Sequence, residues 1–209
     1  MRVKAEIPRI IAITNRKCND RPLEVLIKSA LDGGVPAIML REKDLPSSDL
    51  FPLASRILAL CRSAGALLII NRYVDLALAI GADGVHLGYD SPSIEQVRHK
   101  LDKHMLLGIS AHNLNDLEMA AGAGADYATL SPVFSPTSKT GHLPALGLKK
   151  FREMAAHTEM PIIALGGVNP DNAEACIKMG ASGIAAIGAI FEAKEPDCEV
   201  RKLIHALKD

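Results

Sequence analysis

Eight short aliphatic runs, alternating with segments of helical periodicity and punctuated by glycine, predict an α/β fold. The expected form is a closed (β/α)8 TIM barrel, one domain over residues 1–209. The runs are Ile10–Thr14, Ala37–Arg41, Leu67–Asn71, Gly84–Leu87, Leu106–Ser110, Tyr127–Leu130, Ile162–Leu165 and Gly183–Ile187. They are nearly continuous in Ile, Leu, Val and Ala, as parallel strands covered on both faces must be. An open doubly wound sheet is the competing architecture. It usually carries a glycine-rich turn after its first strand, and Ile11-Ala-Ile-Thr-Asn-Arg-Lys has no glycine.

Between the runs, apolar residues fall on helical stripes. Leu23, Leu26, Ile27, Ala30 and Leu31 form one, Leu50, Leu53, Ile57, Leu60 and Cys61 a second, and Leu117, Ala120 and Ala121 a third. Helix stops are expected at Gly33-Gly34, Gly65, Gly81, Gly124 and Gly180. Three stops share a pattern, Gly81-Ala-Asp, Gly124-Ala-Asp and Gly180-Ala-Ser, as if one βα unit were reused. Expected helix starts lie at Ser47-Ser48-Asp49, Ser91-Pro92-Ser93, Asn113 and Asn169-Pro170-Asp171.

Composition narrows the function. Hydrophobic residues make up 48% of the chain but aromatics only 3%, so the core must be aliphatic. The formal net charge is zero, which argues against nucleic acid or an anionic membrane as partner. Cys18, Cys61, Cys176 and Cys198 are scattered, without metal-ligand or disulfide-framework spacing. No apolar leader or membrane-length run is visible, so a reduced, cytoplasmic protein is expected.

The segments Pro161-Ile-Ile-Ala-Leu-Gly-Gly-Val and Gly183-Ile-Ala-Ala-Ile-Gly-Ala-Ile-Phe carry the strongest functional signal. Each is a strand ending in glycine before a helix. Glycine lets an anion approach backbone N–H groups, and the following helix start adds favourable partial charge. One such turn serves a tight connection equally well; two in succession near the end of the chain predict phosphate binding by Gly166, Gly167, Ile187 and Gly188.

Polar residues at the other strand ends should face the same mouth. Arg41, Lys43, Asn71, Arg72, Ser110 and Lys139 are expected substrate contacts, the four cations converging over the glycine turns. Local pairing offers a plainer account: Arg41 and Lys43 with Glu42 and Asp44, and Arg72 with Asp75. His86, ending an apolar strand, reads as an interior histidine, whereas His112 and His142 are loop residues able to shuttle a proton. Asp90 is the one carboxylate placed as a Mg2+ ligand, with substrate phosphates completing the shell.

These residues together resemble the thiamine phosphate synthase/TenI family nearly end to end. The likeness is carried by Leu40-Arg-Glu-Lys, Leu68-Ile-Ile-Asn, Asp75 to Gly88, Gly108-Ile-Ser-Ala-His, Gly124-Ala-Asp-Tyr, Ser131-Pro-Val-Phe-Ser-Pro-Thr-Ser-Lys and Ile163-Ala-Leu-Gly-Gly-Val. The resemblance implies a homodimeric barrel acting on a small phosphorylated thiamine precursor. Synthases of this family join hydroxymethylpyrimidine pyrophosphate to a thiazole phosphate and release pyrophosphate with Mg2+; TenI proteins bind the thiazole phosphate, and some tautomerise it. This chain departs from the family pattern at Met39, where the family has Gln, and at Arg72 and Ser91, where it has Mg2+-binding Asp. Pro132 stands where the tautomerase has its acid/base His, leaving His112 or His142 for that role.

The first expectation is therefore a TenI-like protein that binds a thiazole phosphate and acts on it, with tautomerisation as one form of that action. The alternatives are a working thiamine phosphate synthase and a non-catalytic phosphate-ligand sensor.

Overall fold

The computed structural model describes residues 5–135 and 143–208. Its elements alternate as expected: β1 (Ile10–Ile13), α1 (Leu23–Asp32), β2 (Ala37–Leu40), α2 (Ser47–Ala64), β3 (Leu67–Asn71), α3 (Val74–Ile80), β4 (Gly84–Leu87) and α4 (Ile94–Lys100) come first. The second half comprises β5 (Leu106–Ala111), α5 (Leu114–Gly122), β6 (Tyr127–Leu130), α6 (Gly147–Ala155), β7 (Ile162–Leu165), α7 (Ala173–Lys178), β8 (Gly183–Ala186), α8 (Gly188–Phe191) and α9 (Pro196–Ala206). All neighbouring strands pair in parallel, and β1 closes on β8 with Ile11 opposite Ala185. The result is a closed (β/α)8 barrel. Each expected strand is present within one residue of its expected ends.

Alternation along the strands divides the core in two. Ile10 and Ala12 of β1 face the surrounding helices, while Ile11 and Ile13 point into the barrel beside Met39, Ile69, Leu106, Tyr127 and Ile163. Burying each large aliphatic side chain contributes about 1.5–3 kcal/mol, so two nested cores stabilise the sheet from both faces. Tyr127 fills the interior because its neighbour on β5 is Gly108: a Cβ there would lie 2.1 Å from the Tyr127 Cζ.

The repeated Gly-Ala-Asp/Ser pattern has a common physical role. The N–H groups of Asp83, Asp126 and Ser182 donate to the carbonyls of Leu68, Leu107 and Ile162 at 2.9, 2.7 and 2.8 Å. The two aspartates add a side-chain clamp, Asp83 Oδ2 accepting from the Leu68 N–H at 2.9 Å and Asp126 Oδ2 from the Leu107 N–H at 2.7 Å. Each repeat thus fixes the register of the preceding strand at the end remote from the mouth.

Two helix starts differ from expectation. α2 begins at Ser47 itself, entered from Pro46 in extended conformation without a side-chain cap. Asn169 makes a local turn, its Oδ1 accepting from the Asp171 N–H at 2.9 Å, which delays α7 to Ala173. Ser93 and Asn113 cap α4 and α5 as expected, accepting from the Gln96 and Asp116 N–H groups. Among the described residues no helix is long and apolar enough to cross a membrane.

Candidate functional site

The strand C-termini open onto a cavity of about 470 Å³ between the β7 and β8 turns. Gly166, Gly167, Ile187 and Gly188 line it together with Arg41. Gly166 and Gly167 have φ of 95° and 64°, a left-handed path that side-chain-bearing residues rarely take. Space forbids side chains there too: added Cβ atoms would meet Pro132 Cα at 2.7 Å and Phe134 Cβ at 2.8 Å. Those close approaches belong to the β6–α6 segment, stitched on by Val133 N–H to Leu165 O (2.9 Å) and Phe134 N–H to Gly166 O (3.0 Å). On the other side, the Asn172 amide donates to Gly167 O at 3.0 Å. Hydrogen bonds thus tie the turn on both sides.

α8 starts directly at the cavity, so the first N–H groups of its opening turn have no partner within the helix. The same short helix ends beside Glu192, whose exposed carboxylate also lines the cavity near Gly188. An anion held here meets backbone donors, one guanidinium and one opposing carboxylate.

Arg41 leaves β2 half-buried, its N–H donating to Thr14 Oγ1 at 2.9 Å. Burial lowers its affinity for the proton and neighbouring Glu42 opposes that shift. Glu42 itself is buried and turned to the Arg16 backbone N–H, which lies 3.2 Å from both carboxylate oxygens. Lys43 projects from the next turn. Burial is the largest cause lowering its pKa; Arg41 and Arg72 add to the depression and Asp90 opposes it.

Arg72 pairs with Asp90, Nη2 to Oδ2 at 2.7 Å, rather than with Asp75 as the plainer account expects. Its guanidinium carbon lies 5.6 Å from the centre of the Tyr73 ring. Asn71, buried beside it, donates from Nδ2 to His86 O at 3.3 Å. Among the described residues, Arg41 lines the glycine cavity, Lys43 lies within electrostatic reach of Arg41, Arg72 and Asp90, and Arg72 is paired with Asp90. Lys139 and His142 lie outside the described residues.

Ser110 is set by a buried network that the sequence does not announce. His86 Nε2 lies 3.1 Å from Ser110 Oγ and 3.4 Å from Thr129 Oγ1, and His86 Nδ1 lies 3.2 Å from the Tyr127 hydroxyl. Burial pushes the His86 imidazole down to about 3, so it stays neutral near physiological pH and orients the serine as a hydrogen-bond partner. His112 is half-buried, with Nδ1 2.8 Å from the Ser131 carbonyl oxygen. That geometry makes Nδ1 the donor and leaves Nε2 as the atom for proton exchange.

The donor set does not fit Mg2+. Among the described residues no three His, Cys, Asp or Glu side chains gather to hold a metal. Asp90 is engaged by Arg72, and a guanidinium in contact with the only carboxylate of the proposed shell opposes a divalent cation. A larger, more apolar cavity of about 1020 Å³ lies over α2, α3 and α4, lined by Arg72 together with Phe51, Val74 and Val97. It lacks the glycine turns.

A closed parallel barrel with a cavity at its strand C-termini, lined by glycine turns, Arg41 and Glu192, has the architecture of the (β/α)8-barrel enzymes, whose sites lie at that face. The chain belongs to the thiamine monophosphate synthase family, whose model matches residues 10–190. It is 38% identical over 199 residues to a thiamine-phosphate synthase of Roseiflexus sp., covering 95% of this chain and 84% of the relative. It is 37% identical over 193 residues to the thiamine-phosphate synthase of Moorella thermoacetica, covering 92% of each. The fold superposes on a thiamine phosphate pyrophosphorylase from Pyrococcus furiosus with a TM-score of 0.85, at 30% identity and over 95% and 94% of the two chains.

Proposed function

We propose that this protein is a thiamine-phosphate synthase, transferring a hydroxymethylpyrimidine unit from its pyrophosphate ester to a thiazole phosphate. One observation carries the reading: Arg41 lines the glycine cavity, and Lys43 lies within electrostatic reach of both Arg41 and Arg72, so positive charge extends beyond the glycine turns. That extent of charge suits two anions, one held by the glycine turns with Arg41 and one by Lys43 with Arg72. A thiazole tautomerase handles one phosphorylated substrate, whereas a synthase must hold a phosphate and a pyrophosphate at once. The names of the relatives favour the synthase over tautomerisation as well.

In this reading Gly166, Gly167, Ile187 and Gly188 hold the thiazole phosphate through backbone N–H groups, with Arg41 closing over it. Lys43 and Arg72 take the pyrophosphate, Asn71 and Ser110 orient the pyrimidine, and Lys139 joins from the β6–α6 segment. Ser110 is suited to orientation because neutral His86 fixes its hydroxyl. His112, tied through Nδ1 to Ser131, supports the positions around β5 and carries no proton in this reaction. The active unit is proposed to be a homodimer, checked by light scattering of the purified protein.

The test is product formation from hydroxymethylpyrimidine pyrophosphate and thiazole phosphate, followed by mass and by pyrophosphate release. Equal appearance of thiamine phosphate and pyrophosphate is expected. Isomerisation of the thiazole phosphate without joining would replace the synthase by the tautomerase, and saturable binding without any turnover would leave a sensor.

A further inference from the structure

We infer that Arg72, with Lys43 and Arg41, supplies the positive charge that stabilises the departing pyrophosphate, so that its release needs no divalent cation. This inference rests on the synthase reading above.

Arg72 is the one non-glycine residue with positive φ among the described residues, at 61°. A left-handed arginine costs on the order of 1–2 kcal/mol, and such strain persists where surrounding structure imposes it and a site uses it. Here the backbone is fixed by Arg72 N–H to His86 O at 2.8 Å and Tyr73 N–H to Asn71 O at 2.8 Å. The side chain is oriented in turn, by Asp90 at 2.7 Å and the Tyr73 ring, while 31% of it remains exposed. A guanidinium held this way has further N–H donors free of Asp90 and offers a planar fork matched to phosphate oxygens.

The charge count agrees. Arg41, Lys43 and Arg72 against Asp90 leave a net charge of plus two in this part of the mouth. Of the nearby acids, Asp44 pairs with Arg16 and with Lys17, the latter at 2.8 Å, whereas Glu42 acts on Arg41 and lowers the total to plus one when it is counted. A carboxylate at position 72, as the family pattern has it, would bring the same four groups to zero, and a bound divalent cation would restore plus two. Arginine in that position builds the metal's charge into the chain.

The step balances without a co-reactant. The bond from the pyrimidine methylene carbon to the pyrophosphate oxygen breaks with its electron pair leaving on pyrophosphate. The thiazole ring nitrogen supplies the pair for the new carbon–nitrogen bond, and no oxidant or reductant takes part. Negative charge grows on the leaving oxygen, where preorganised cations stabilise it most.

The experiment uses the full chain and inorganic pyrophosphate as the probe, titrated by calorimetry in EDTA and in Mg2+, beside turnover of both substrates in the same buffers. Binding and turnover that persist in EDTA are expected. Arg72→Asn, chosen because asparagine tolerates the left-handed backbone, should weaken pyrophosphate binding in EDTA by roughly tenfold to a hundredfold with an unchanged melting temperature. Arg72→Asp should make turnover depend on Mg2+. Wild-type turnover or pyrophosphate binding that appears only with Mg2+ overturns the inference and leaves the synthase reading standing, as does an Arg72→Asn variant that binds normally. Absence of turnover in every buffer overturns both.

Discussion

Replacing Arg41 by glutamine isolates the contribution of one side chain to the phosphate cavity. The Arg41 backbone N–H is anchored by Thr14 Oγ1 at 2.9 Å, so the end of β2 keeps its path when the side chain changes. Lys43 and Arg72 remain in the neighbouring region, so the general field at the mouth weakens but does not vanish. What disappears is a charge-assisted hydrogen bond from a half-buried guanidinium on the cavity wall. Such a bond contributes about 1.5–3 kcal/mol, which corresponds to a loss of roughly tenfold to 150-fold in affinity. Calorimetry with thiazole phosphate, and with the unphosphorylated thiazole alcohol as control, separates this effect from shape. Phosphate binding by Arg41→Gln should fall by that factor while the alcohol is bound as before. An affinity for the phosphate unchanged within threefold, in a variant that melts normally, would remove Arg41 from the site.

Other consequences are equally direct. Gly108→Ala forces a Cβ to within 2.1 Å of Tyr127 and should destabilise the barrel by about 1–3 kcal/mol, seen by calorimetric melting as about 2–4 °C for each kcal/mol; an unshifted melt would contradict the packing. His86 should remain neutral by nitrogen NMR well below its ordinary 6.5, since folding holds it down to about 3. The unfolded chain then takes up a proton that the folded one refuses, so this group's contribution is intact above pH 6.5 and is lost as pH falls towards 3, at up to about 1.4 kcal/mol per pH unit. A His86 resonance titrating near 6.5 in the folded protein would contradict that. Glu192→Gln should raise affinity for thiazole phosphate by roughly twofold to fivefold at low salt, with the gain shrinking as salt is added; a weaker complex would show that the carboxylate helps rather than opposes the anion.

The strands were legible because both of their faces are buried, which leaves almost no polar residue inside Ile10–Ile13 or Ile162–Leu165. The glycine turns were legible for a related reason: only glycine fits where φ is positive and Pro132 and Phe134 approach so closely. Side-chain reach was not legible. Arg41 and Arg72 end adjacent strands in the same way, yet one lines the glycine cavity and the other turns to Asp90, because a left-handed backbone redirects the second. The His86 network depends on Gly108 making room for Tyr127 across neighbouring strands, a pairing that no local pattern encodes. Glu192 reaches the cavity because α8 is only four residues long and brings its end back beside Gly188.

A synthase must hold two anionic guests side by side in the mouth. The most direct measurement titrates thiazole phosphate into protein already saturated with inorganic pyrophosphate. One equivalent of each should bind per chain, with the affinity for thiazole phosphate largely preserved. Displacement of one ligand by the other at a single shared site would contradict it.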